Sequence, residues 1–279
     1  MLNLDPSENS VIPERFYKIL QSCERESSAG RFPATEVFNE GWMLRLVLDA
    51  IQSLNVPNHP LSFLQGANWY SEALLSSPFR SRFKSDPLGE GFTNADGVLG
   101  HFDFRASTKS GLSLGPDARQ FVVLEAKMFS NLSSGTKNAP GYNQAARNVA
   151  CMAAAIAKSG KDLSSFESVG FFVIAPEASK RTHRDTNLEA CLNPDSIRSA
   201  VHQRVTTYES SQRTEAQTLR KWESEYFHPL VLRLVDEKRL RVLSWEQIIE
   251  AIRSADTRCG AELSRFYDRC LSFAPASTN

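Results

Sequence analysis

Glu125 and Lys127 stand two residues apart in Phe121-Val122-Val123-Leu124-Glu125-Ala126-Lys127-Met128, a stretch that is otherwise apolar. β-Branched and aromatic residues uninterrupted by Gly or Pro read as a strand, and strand side chains alternate with period two. Phe121, Val123, Glu125 and Lys127 therefore share one face, and Val122, Leu124, Ala126 and Met128 the other. The second face is wholly apolar, as a central strand packed on a helix requires. The first begins apolar and ends in a carboxylate beside an ammonium. Burying an ion costs roughly several kcal/mol unless a partner or a metal compensates it. Either the pair is solvated at the end of an edge strand, or it is held there for chemistry, and the neighbours decide between the two.

Three other acids are candidates to join Glu125. The segment Asn94-Ala95-Asp96-Gly97-Val98-Leu99-Gly100-His101-Phe102-Asp103-Phe104 reads as a strand from about Ala95 to Phe104, loosened at its glycines. Asp96 and Asp103 differ by an odd number and face opposite sides of a regular strand, so at most one meets Glu125 unless a bulge intervenes. Asp96 before Gly97 is also a common turn pair. Further upstream, Thr35 reads as the N-cap of a helix running to about Leu54. Met43, Leu44 and Val47 follow Glu40 at i+3, i+4 and i+7, which aligns Glu40 with the buried stripe and puts Glu36 one turn earlier. Attraction to the positive helix N-terminus accounts for Glu36. It accounts less well for Glu40, which lies beyond the first turn of such a helix.

The chain of 279 residues suits one large domain or two small ones. With 41% hydrophobic and 23% charged residues it has an ordinary globular composition. Lys+Arg and Asp+Glu are both 32, so any nucleic-acid surface must be a local basic patch. Phe79-Arg80-Ser81-Arg82-Phe83-Lys84 is one such patch; it could touch a phosphate backbone or be a solvated face. Lys180, Arg181, His183 and Arg184 form another. The 5 cysteines include no CxxC pair, which excludes zinc-finger spacing and leaves reduced thiols. No basic-then-apolar leader begins the chain, and no apolar run approaches the roughly 20 residues of a membrane span. A cytoplasmic protein without membrane contact is expected. Phosphate-binding glycine loops, a nucleophile elbow and paired-histidine metal motifs are all absent.

The elements that must position the candidates follow from periodicity. Phe16 to Leu20 and Trp69 to Leu75 read as short helices. The Gly/Ser/Lys-rich segment 105–119 turns the chain back, so that the strand through Asp96 and the strand through Glu125 form an antiparallel hairpin. Ser130 to Gly141 is a loop carrying Lys137. A helix follows from about Tyr142 to Ala157, with Gln144, Arg147 and Cys151 on one line. Val169 to Ile174 is a strand apolar on both faces, and the helix before it fits a βαβ crossover. Helices are expected from Pro194 toward Tyr208, over Glu215 to Tyr226, and over Ala261 to Phe273. Leu240 to Leu243 is a short strand, and Ser244 caps a helix from Trp245 to Ser254.

An acid in a helix, Ala95-Asp96 on one strand, Glu125-Ala126-Lys127 on the next and Gln144 with Arg147 on the following helix form an ordered series. It resembles the PD-(D/E)XK, or restriction-endonuclease-like, nuclease superfamily over roughly residues 35–175, with the strand and helix at 240–254 as a tail of the same core. Ala95 stands where the superfamily's name has Pro. The resemblance implies an α/β fold in a single domain spanning 1–279, with its core at about 35–254. A central mixed β-sheet flanked by helices would carry the site at one edge, with a helical C-terminal extension. It implies Mg²⁺, which Mn²⁺ can replace, held by Asp96 and Glu125 with the Ala126 carbonyl, and by Glu40 through water or a second ion. Lys127 would orient the attacking water or stabilise transition-state charge. Gln144 would line the site, and Arg147 would clamp a phosphate oxygen. As an ordinary alternative, Gln144 and Arg147 are an exposed polar face.

The expected activity is hydrolysis of nucleic-acid phosphodiester bonds, in DNA rather than RNA, with Arg147, Lys137, Arg80, Arg82 and Lys84 on the nucleic acid. Restriction or anti-phage defence is a setting by analogy only. Two rival readings keep the fold: a catalytically silent binding module, and a nuclease subunit that requires a partner protein. A homodimer is compatible with each.

Overall fold

The computed structural model describes residues 15, 18, 19, 32–106, 108–136, 138–178 and 188–273. Phe16, Tyr17 and Leu20 of the first expected helix, Lys137, and the cluster Lys180, Arg181, His183 and Arg184 lie outside the described residues.

Among the described residues seven strands follow in chain order: β1 (Asn68–Ser76), β2 (Phe92–Gly100), β3 (Asp103–Phe104), β4 (Leu112–Ser113), β5 (Gln120–Ala126), β6 (Ser168–Ala175) and β7 (Leu240–Ser244). Five of them form a mixed sheet of order β1-β2-β5-β6-β7, with β1, β2 and β5 antiparallel and β5, β6 and β7 parallel. β5 is central, and all of its residues are buried. Its alternation is as expected: Phe121 and Val123 join one apolar layer, and Val122, Leu124, Ala126 and Met128 the other. The site therefore lies at the end of the central strand rather than at an edge of the sheet.

Helices cover both faces. α1 (Glu40–Ser53) packs Met43, Leu44, Val47 and Leu48 on the layer that holds Leu124 and Ala126. α2 (Gln144–Ser159) packs Ala145, Val149, Met152 and Ile156 on the layer that holds Val123. After the short α3 (Leu188–Cys191) come α4 (Pro194–Ser210), α5 (Ala216–Trp222), a π-helical turn over Glu223–Phe227 and α6 (His228–Asp236). All three longer helices add to the α2 layer. α7 (Trp245–Ala255) and α8 (Thr257–Leu271) add to the α1 layer. Among the described residues no helix is long and apolar enough to cross a membrane.

Several boundaries differ from expectation for identifiable reasons. Thr35 is not the N-cap of α1; it falls inside a one-turn 3-10 helix over Ala34–Glu36. Asn39 caps α1 instead, its side-chain oxygen accepting from Trp42 N at 3.0 Å. Glu40 is consequently the first helical residue, where the dipole alone favours an acid. Trp69 to Leu75 is a strand, not a helix, because β2 satisfies its backbone while Ala73 and Leu75 fill the core. A short apolar run of this kind suits either element, and the pairing partner settles it. β2 stops at Gly100, and Asp103 belongs to the separate β3–β4 ribbon, where it is exposed.

One irregularity shapes the site. Pairing of β1 with β2 skips Glu72 and Asp96, between Ser71↔Gly97 and Ala73↔Ala95. Glu72 has φ of 59°, a conformation that costs a non-glycine residue about 1–2 kcal/mol. Trp69 faces the α1 layer but Ala73 the α2 layer, and Leu99 faces the α1 layer but Ala95 the α2 layer. Both strands invert their facing at this step.

Trp245 ties the layers to the end of β5. Its ring is fully buried and its Nε1 donates to the Lys127 carbonyl at 3.0 Å. Trp245→Ala is expected to lower unfolding free energy by about 3–5 kcal/mol in denaturant titration. Trp245→Phe, which keeps most of the volume but leaves the carbonyl unpartnered, costs about 1–3 kcal/mol.

Candidate active site

The sheet forks where β2 leaves β5. The two strands pair from Gly100↔Phe121 to Gly97↔Leu124, whereas β5 stays paired with β6 through Ala126↔Ile174. Lys127 N donates to Ile174 O at 2.8 Å on the β6 side. Backbone groups of successive strand residues point to opposite sides, so the N–H and C=O of Ala126 face the fork. Asp96 closes it: its Oδ2 accepts from Ala126 N at 2.8 Å. The inverted step in β2 turns Asp96 toward β5 and not into either apolar layer.

Glu125 projects into the α2 layer and is 0% exposed. Four side chains converge on it. Lys127 Nζ lies 2.5 Å from its Oε1. The Gln144 amide donates to the same oxygen. Asn148 Nδ2 donates to Oε2 at 3.3 Å. The Asp96 carboxyl is close enough to act on it electrostatically. Burial, and then the charge of Asp96, push the Glu125 carboxyl up to about 8 against the opposing pull of Lys127. A carboxyl raised in this way favours its neutral form at neutral pH, and a bound cation would favour the ionised one.

The N-terminus of α2 supplies the amides. Asn143 caps it, accepting from Ala146 N at 2.8 Å. Gln144 follows, and its Oε1 accepts from Ser133 N at 3.2 Å while its backbone N donates to Ser133 O at 2.9 Å. That bond fixes the amide so that its NH₂ meets Glu125. Arg147 donates to Ser133 Oγ at 3.0 Å and so holds the same loop.

The structure thus brings Asp96, Glu125, Lys127 and Gln144 together, with the Ala126 carbonyl directed to the same fork. Glu40 is half-buried at the start of α1, on the layer opposite Glu125, and its electrostatic neighbour is Cys270. Among the described residues no group of three or more His, Cys, Asp or Glu is arranged to hold a metal. Asp103 is remote, as the parity argument allowed for one of the two aspartates. In the 80–84 patch, Arg82 is held by Glu215 at 2.5 Å and donates to Thr214, while Arg80 and Lys84 are exposed. Phe79 is core. Asn148 was not among the residues singled out by sequence. It lies one turn beyond Gln144 on the same face, and its full burial inside an alanine-rich helix is the signal that could have found it.

Comparison of the chain with known proteins yields no matching family model, no matching curated protein and no matching solved structure. What the site can do chemically follows from its donors. Two carboxylates and a carbonyl are hard oxygen ligands that suit Mg²⁺ or Mn²⁺, and the adjacent ammonium can stabilise an anion.

Proposed function

We propose that this chain is a divalent-metal-dependent nuclease on a restriction-endonuclease-like core, hydrolysing phosphodiester bonds of DNA. The observation that carries the reading is the fork. Asp96 closes the end of the central strand through Ala126 N, beside Glu125, on whose carboxylate Lys127 and Gln144 are fixed. Asp96, Glu125 and the Ala126 carbonyl would hold the ion. When bound it supplies Lewis-acid polarisation of the phosphate and a lowered water pKa. Lys127 then has its ammonium free to hold charge that develops on a non-bridging phosphate oxygen. Gln144, braced by Ser133, keeps Glu125 in place and offers its amide to the attacking water. Asn148 locks the second carboxylate oxygen. Groups behind a metal ligand typically set 10–100-fold in affinity. Asn148→Ala should therefore weaken Mn²⁺ binding by about that factor in calorimetric titration.

The test is cleavage of supercoiled plasmid, linear duplex, single-stranded DNA and RNA by the purified chain with Mg²⁺, Mn²⁺ or EDTA. Cleavage of DNA that requires the ion and is lost in Asp96→Asn supports the reading. If no polymer is cut with either ion, or if Asp96→Asn cuts as fast as the wild type, the reading is wrong.

A further inference from the structure

Two exposed aromatic rings stand at the fork end of the sheet. α1 runs along β1 in a direction that two contacts fix. Gln52 Nε2 donates to Ala67 O at 3.2 Å, beside the start of β1, and Arg45 Nη2 lies 3.7 Å from Glu72 Oε1. The start of β1 pairs with Gly100, at the far end from the fork, whereas Glu72 is skipped together with Asp96. The N-terminal turns of α1 therefore lie at the level of Asp96. Trp42 stands three residues before Arg45 on the same side of the helix. Its ring is 43% exposed, and the Arg45 guanidinium lies over it at 5.1 Å. Phe129 follows Lys127 by two residues, just past the end of β5, and is 44% exposed.

Single exposed rings scattered over a surface need no explanation. Here two fall at one end of the sheet, beside the candidate site, and one of them carries a cation. The Arg45–Glu72 pair is open to solvent, and at 3.7 Å it is too long for a good hydrogen bond. Exchanging Glu72 for a phosphate oxygen would cost little, and a guanidinium matches phosphate geometry. A ring with a guanidinium on it meets both parts of an unpaired nucleotide, the face of the base and the phosphate. A duplex keeps its base faces stacked on one another and is held chiefly through phosphate charge. This chain, with 32 basic and 32 acidic residues, carries no excess of positive charge for that purpose.

We propose that the substrate of the fork is an unpaired stretch of DNA, with Trp42 and Phe129 as stacking platforms for its bases and Arg45 as the clamp on a phosphate beside Trp42. This deepens the nuclease reading and rests on it.

The experiment measures binding of a labelled single strand of about 20 nucleotides, and of the matching duplex, to the full chain in EDTA. The single strand should bind about tenfold tighter than the duplex or better. Trp42→Ala should weaken single-strand binding about 5- to 100-fold, the usual loss for one stacked base, and leave duplex binding unchanged. Phe129→Ala should act in the same direction, and Trp42→Phe, which keeps a ring, should retain most of the affinity. Of the 4 tryptophans Trp42 alone is exposed, so the single strand should quench intrinsic fluorescence in the wild type and not in Trp42→Phe. Arg45→Gln should lower the slope of log affinity against log salt by about 0.7 for the single strand. Glu72→Gln, which removes the competing carboxylate, should tighten binding. Because both rings are exposed, their variants should melt close to the wild type. A wild type that binds duplex as tightly as single strand overturns the proposal, and so do Trp42→Ala and Phe129→Ala proteins that bind single strand as the wild type does. Parallel cleavage with Mn²⁺ separates the two claims. Duplex cut as fast as single strand, with Trp42→Ala unaffected, removes the unpaired substrate and leaves the nuclease. Single-strand binding that depends on Trp42, with no cleavage of any polymer, removes the nuclease and leaves a binding surface.

Discussion

Lys127→Ala is expected to lower the cleavage rate constant by about 10²–10³-fold, the usual loss when one preorganised donor to a developing oxyanion is removed. The effect should fall on kcat more than on KM, since the ammonium is held by Glu125 before substrate binds and is needed most at the transition state. The substitution has a second consequence. Lys127 is the group that favours the charged form of Glu125, so its removal makes that proton harder to displace and weakens ion binding. Lys127→Arg, which restores the charge but not the compact geometry, should recover only part of the rate. Asp96→Asn should be at least as damaging, because Asp96 would hold the proposed ion and closes the Ala126 N–H. Rates are compared at saturating Mn²⁺, with melting temperatures confirming the fold. A Lys127→Ala enzyme with wild-type kcat would remove this residue from the chemistry.

Metal-free protein should lose stability as pH rises from about 5 to about 8, and bound Mn²⁺ should reverse that loss. Glu125 is held at about 8 by burial first and by Asp96 second, while in an unfolded chain a glutamate titrates near 4.3. Between those values the folded state keeps a proton that the unfolded state has released. The contribution is thus complete below the unfolded value and is lost as pH climbs toward the folded one. Its slope is negative and at most about 1.4 kcal/mol per pH unit for a single group. A divalent cation binds the ionised form, so its affinity should grow over the same range, with release of a proton. Glu125→Gln should flatten the pH dependence in EDTA and abolish the Mn²⁺ response. Thermal denaturation at a series of pH values, with EDTA or Mn²⁺, reads all three. A metal-free melting temperature that climbs between pH 5 and 8 in the wild type and equally in Glu125→Gln would rule out a proton held on Glu125.

Much of the core was legible because burial on both sides imposes a strict alternation. The two faces of β5, the antiparallel hairpin with β2, the parallel pairing with β6 and the Ser244 cap of α7 all follow from local pattern. Asp96, Glu125, Lys127 and Gln144 were named as a set through the resemblance to the PD-(D/E)XK superfamily; parity by itself left Asp96 and Asp103 open. Elsewhere local pattern was ambiguous. Trp69 to Leu75 has no period that excludes a helix, and only its partner strand made it β1. Thr35 and Asn39 are both good caps, and the choice between them moved Glu40 from a buried stripe to a helix N-terminus.

Residue order along this chain determined which chemical groups are available and on which face of each strand they stand, because alternation and helical spacing are properties of a local segment. Tertiary structure alone decided how they meet. The strained step at Glu72 and Asp96 turns an aspartate into the fork, and full burial of Asn148 gives Glu125 its last donor. The choice of Asn39 as the cap makes Glu40 the first residue of α1. Such outcomes depend on which segments, distant in sequence, come to share one desolvated space, and that is set by the sum of packing over the whole molecule.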